Sequence, residues 1–134
     1  MSSTTIRYQD AEFVANDLPI EVWMFEVARQ INADTSVDPW LADLRDEWRL
    51  QATAGFGFGP TPALDKFLDT DERRVQLASY LRKALQNFSQ RSNTIAPDEL
   101  SRSGIGGDGV IYTQGLSTQL VIDVGAKFIN LIAR

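Results

Sequence analysis

Residues 116–133, LSTQLVIDVGAKFINLIA, decide the fold class. Read as a helix, the segment is capped by Ser117, and Val121, Val124, Phe128 and Leu131 or Ile132 form one apolar stripe. Read as a strand, Leu120, Ile122 and Val124 alternate over residues 119–124. Lys127 to Ile132 continue the helical period, which favours the helix. Gly125 opposes it, because a helical glycine costs about 1 kcal/mol relative to alanine. With the helix, the chain is expected to be an all-α, single-domain bundle of four long helices plus one short helix, with a Gly-rich loop at 103–115. With a hairpin over 110–124, the class becomes α+β.

Upstream of this segment three helices carry both caps and periodicity. Asp17, Pro19 and Glu21 open a helix to about Ile31, whose apolar residues wrap most of its circumference, so it is expected to be central and buried. Asp38-Pro39 opens a second helix, with Leu41, Leu44 and Trp48 as its core stripe, that stops at Gly55. Thr70 or Asp71 opens a third, which buries Leu77, Ala78, Leu81, Ala84, Leu85 and Phe88. Thr61-Pro62 starts the short helix, and Pro97–Leu100 suits a single turn. Residues 1–16 read either as a short strand at Thr4–Tyr8 or as an extended arm of one globular domain spanning 1–134. Phe56 and Phe58, between the glycines of residues 55–59, either plug the core or present a recognition loop.

A chain of 134 residues suits one domain. It has no cysteine and no histidine. Disulfides, thiolate nucleophiles, Cys/His zinc sites and every triad with an imidazole base are therefore excluded. The net charge of −5 disfavours nucleic acid and anionic membrane surfaces as partners. Residues 1–50 hold ten acids against four bases, so the acidity lies in the first third. Residues 1–7 lack a signal-like apolar run, and no stretch reaches the length of a membrane span, so a cytoplasmic protein is expected.

Gly104-Ile-Gly-Gly-Asp-Gly109 matches G-x-G-x-x-G literally. The dinucleotide fingerprint needs those glycines between a strand and a helix, a setting the surrounding sequence lacks, so a surface loop is expected instead. No P-loop Lys-Ser/Thr follows, and Asp108-Gly109 lacks the further acids of an EF-hand loop. No cofactor and no metal is expected.

The second helix carries the most informative charge pattern. Asp43, Asp46 and Glu47, at i, i+3 and i+4, place three carboxylates on one face, a spacing that opposes helix stability. The face reads as a surface for a basic partner, with a solvated face as the plain alternative and metal or acid–base chemistry as a third. Trp40, in the first turn beside Asp43, is the candidate anchor, since tryptophan is enriched at interface hot spots. The basic helix 70–89 is expected to pack beside this acidic one or to support self-association.

The leading expectation is a small acidic binding protein, not an enzyme, that occludes a basic protein partner through Asp43, Asp46, Glu47 and Trp40. In outline the chain is similar to bacterial immunity proteins, small acidic partners of basic toxins, a likeness of size and charge alone. A homo-oligomeric assembly module such as a homodimer, and a small-ligand or carboxylate-dependent enzyme with Tyr112 and residues 104–109 at its pocket, are the alternatives.

Overall fold

The computed structural model describes residues 2–55 and 59–133. The order of elements is β1 (Ser3–Tyr8), β2 (Ala11–Asn16), α1 (Asp17–Asn32), α2 (Pro39–Thr53), α3 (Leu64–Phe67), α4 (Asp71–Ser89), β3 (Thr94–Ile95), α5 (Pro97–Ser103), β4 (Leu116–Ser117) and α6 (Thr118–Ile132). Phe56 and Phe58 lie outside the described residues.

Two antiparallel hairpin-type pairs correct the all-α expectation. β1 pairs with β2 from Ser3 opposite Asn16 to Tyr8 opposite Ala11. Side chains alternate across this ribbon: Ile6 and Tyr8 are buried and Phe13 packs against the core, while Arg7, Glu12 and Val14 face water. The signal was present as period-2 alternation, but half the inward positions are Thr4, Ala11 and Ala15, too small or polar to stand out. The turn also lacks the usual Asn-Gly or Asp-Gly pair. Gln9 takes a positive φ of 56° there, and its N–H donates to Asp65 Oδ1 at 2.9 Å, which ties the turn to α3. The Tyr8 hydroxyl donates to the Leu68 carbonyl at 2.9 Å. Residues 3–16 are thus a docked ribbon rather than an arm.

The second pair sets Thr94 opposite Ser117 and Ile95 opposite Leu116. No hairpin spans 110–124: only Leu116 and Ser117 there are strand, and the helix reading of the rest holds from Thr118. Val121, Val124, Phe128, Leu131 and Ile132 are all buried. Ser117 occupies the N-cap position but makes no capping bond with its side chain. The Thr118 N–H donates to Asn93 O and its hydroxyl to Ser92 O, so α6 is anchored by the pairing with β3. A two-residue strand is too short to leave a periodic trace in sequence.

The four long helices stand within a residue or two of their sequence-read limits, and α5 extends the single turn expected at Pro97. α1 is the central element, packed on α2, α4 and α6. Its Trp23 is fully buried against Phe88 and Phe128, with ring centroids 6.2 Å away in each case. Phe128 also meets Trp48 at 5.8 Å and Phe13 at 5.5 Å, so one aromatic cluster joins α1, α2, α4, α6 and the first ribbon. Gly125 lets α6 come this close: a Cβ there would lie 2.5–2.9 Å from the six-membered ring of Trp23. The residue that weakened the helix in sequence is the one its packing requires. No described helix is long and apolar enough to cross a membrane.

G125A should therefore destabilise the fold. Overpacking against a rigid indole costs about 1–3 kcal/mol and opposes a propensity gain of about 1 kcal/mol, for a net loss of up to about 2 kcal/mol in chemical denaturation. A variant as stable as the wild type would show that α6 can retreat from Trp23 at no cost.

Candidate functional site

α2 carries the sequence-predicted site. Its inner stripe, Leu41, Leu44 and Trp48, is buried on α1 and the aromatic cluster, and the Trp48 indole N–H donates to Pro62 O at 2.8 Å. This orientation fixes the outer side. Asp43 is exposed, Glu47 is half-buried and accepts a bond from the Gln51 amide at 3.3 Å, and Leu50 is 48% exposed. At i, i+4 and i+7 these three form one ridge. Among the described residues neither Asp43 nor Glu47 has an ion-pair partner.

The third carboxylate is drawn away. Asp46 accepts from Arg45 Nε at 2.9 Å and lines the cleft between α2 and α1. Trp40 is half-buried, and the Arg73 guanidinium stacks 5.0 Å from its ring centroid. One face of the proposed anchor is thus already occupied by a cation from α4. Otherwise the basic helix does not screen the acidic one: α4 packs mainly on α6 and α1, and meets α2 through Arg73 and through Gln76, which donates to Asp38 at 3.1 Å. The expectation that the two helices neutralise one another side by side is corrected accordingly. The carboxylates do not gather around a point, and no group of three metal-ligating side chains occurs among the described residues.

The Gly-rich loop has a packing role. It follows helix α5, not a strand, and Gly104 caps that helix with a positive φ. The Gly106 N–H donates to Ala52 O at 2.9 Å and so docks the loop on the end of α2. A Cβ at Gly106 would sit 2.5 Å from the Tyr112 hydroxyl, which itself donates to Ile105 O at 2.8 Å. Ile105 is buried. The glycines thus serve close backbone approach, which the motif spacing alone does not distinguish from phosphate binding.

Sequence reading missed Glu21. On the flank of α1 its carboxyl is pushed up to about 7, first by burial and then by the Asp17 carboxylate one turn earlier. Asp17 is itself held by the hydroxyls of Ser2 and Thr4. Tyr112 is raised by burial and by the nearby Glu21 charge. The sequence signal was the i, i+4 acid pair Asp17 and Glu21 at a helix start, where acids are ordinarily welcome. Burial, which opposes ionisation there, depends on segments remote in sequence. Glu26 was missed as well: it is almost fully buried, and holds Arg29 and Gln30.

No protein family, curated protein or solved structure matches this chain.

Because the folded state holds the Glu21 proton more tightly than the unfolded chain, Glu21 adds a penalty that grows as pH rises from about 4.5 to about 7 and is complete above that range. E21Q should be more stable than the wild type at pH 8 by about 1–2 kcal/mol, a gain reduced by the remaining water contact, and nearly equal to it at pH 4. Urea unfolding at the two pH values measures this. An equal difference at both would assign the effect to packing.

Proposed function

We propose that this chain is a small acidic binding protein that occludes a basic surface of a protein partner, with an immunity or inhibitor role toward a basic toxin as its most concrete form. The observation that carries the reading is the α2 ridge, where Asp43 and Glu47 run up to the half-exposed Leu50 at its C-terminal end and neither acid has a cation of its own among the described residues. A fold optimised for stability alone would pair those charges or separate them. An apolar side chain beside unpaired charge suits an interface in which the charge steers the encounter and the apolar contact is desolvated.

Occlusion needs no reacting group on this side. The carboxylates raise the encounter rate with a basic surface, and Leu50, with the exposed part of Trp40, supplies the apolar contact. Asp46, paired to Arg45, contributes less to steering than Asp43 or Glu47. In this reading the protein acts in the cytoplasm, as a stoichiometric partner and not as an enzyme.

D43K/E47K tests the reading, since both positions tolerate charge reversal without loss of a salt bridge. Wild-type and variant baits are compared for capture of basic proteins from the source cell at low and high salt. The expected result is a basic partner held by the wild type, released by salt, whose association with the variant is slower by at least about tenfold at low salt. Equal capture by both baits at either salt concentration overturns the assignment of α2 as the interface.

A further inference from the structure

The flank of α1 that carries Phe25 and Arg29 borders two cavities. One, of about 210 Å³, lies between α1 and α2 and includes Arg29, Arg45, Asp46 and Arg49 in its lining. The other, of about 400 Å³, lies where α1 meets α4, β3 and α5. Its wall is formed by apolar side chains such as Phe88, Ile95 and Leu100, with Asn87, Arg91 and Glu99 among them. Phe25 and Arg29 line both, so the cavities adjoin across that pair.

Four of the 13 basic residues of an acidic chain meet along this groove. Three have a carboxylate each: Arg29 with Glu26, Arg45 with Asp46 and Arg91 with Glu99. Arg49 has none among the described residues, and its guanidinium stands 6.0 Å from the centroid of the Phe25 ring. The groove therefore carries one positive charge in excess. Two of these arginines are also held in place. Glu26 takes Nε and Nη2 of Arg29, which leaves Nη1 free, and Asp46 holds Arg45 through Nε, which leaves both terminal nitrogens free. Arginines fixed in this way present donors in the fork geometry that suits an oxyanion. In the adjoining cavity Asn87 Oδ1 is buried and accepts no hydrogen bond among the described residues, an arrangement that is unfavourable unless something donates to it.

We infer that this groove binds a small organic carboxylate: a monoanion with an apolar body and a hydroxyl donor. The carboxylate meets Arg49 and the free donors of Arg45 and Arg29. The body crosses Phe25 into the apolar cavity, and the donor reaches Asn87 Oδ1. A phosphate dianion would bring one charge more than the groove supplies and would leave the apolar wall unfilled. The two cavities together fall within the usual range for small-molecule sites. This site is separate from the α2 ridge, and neither reading depends on the other.

The probe is para-hydroxyphenylpropionate, titrated at fixed ionic strength against the isotopically labelled full chain and followed by ¹H–¹⁵N NMR. Its primary amide and inorganic phosphate are the comparison arms. The expected result is saturable shifts at Phe25, Arg49 and Asn87, with the amide at least about tenfold weaker. R49Q, which leaves no carboxylate unpaired, should weaken binding at least about tenfold, and R45Q should act in the same direction, with the same spectra reporting that each variant is folded. R82Q, on the exposed side of α4, should bind as the wild type does. Absence of saturable shifts, unchanged binding in folded R49Q and R45Q, or phosphate binding more tightly than the carboxylate overturns the inference.

Discussion

The contact between Gly125 and the indole of Trp23 sets the distance between α6 and α1, and the rest of the core is arranged around that distance. At this separation Phe128 falls between Trp23 and Trp48, and its remaining edge is met by Phe13 of the first ribbon. A methyl group on α6 would push the helix outward and part those rings together. Aromatic pairs at such distances contribute about 0.5–1.5 kcal/mol each beyond the area they bury, so their geometry matters as well as their burial. The ribbon and the β3–β4 pair act on the same element. The first covers the Phe128 edge, and the second holds the start of α6 through Thr118.

With α1 at the centre, its circumference is divided among different tasks. One side is wholly apolar. On the flank, Glu26 is almost fully buried yet satisfied by Arg29 and Gln30, which is the condition under which a buried carboxylate is tolerated. Near the start of the helix Glu21 has no such cation among the described residues and holds its proton more tightly instead. Two acids of one helix thus meet burial in different surroundings, Glu26 beside a guanidinium and Glu21 beside a second carboxylate.

The net charge of −5 conceals a separation of charge. Asp43 and Glu47 stand on an outward ridge, whereas Arg29, Arg45, Arg49 and Arg91 face cavities along α1. The two sets lie on opposite sides of α2. Asp46 belongs by position to the acidic run and by contact to the arginine groove, because Arg45 Nε reaches it. One helix therefore carries acid on its outward ridge and arginine on the side toward α1 without either surface cancelling the other.

The limits of the long helices, the buried stripes of α2 and α4 and the burial of Trp23 and Trp48 were determined by the sequence itself, because each rests on caps and a 3.6-residue period confined to a few turns of chain. The exposure of Asp43 follows from the same period. The two strand pairs were not legible in this way. One hides its alternation behind Thr4, Ala11 and Ala15, and the other is two residues long and exists only where residues 94–95 and 116–117 meet. Tertiary structure alone decided that Gly125 is required, that Arg73 covers Trp40, that Asp46 turns from the acidic ridge, and that four arginines share one groove. Each of these depends on the distance between segments remote in the chain, and local periodicity carries no measure of that distance.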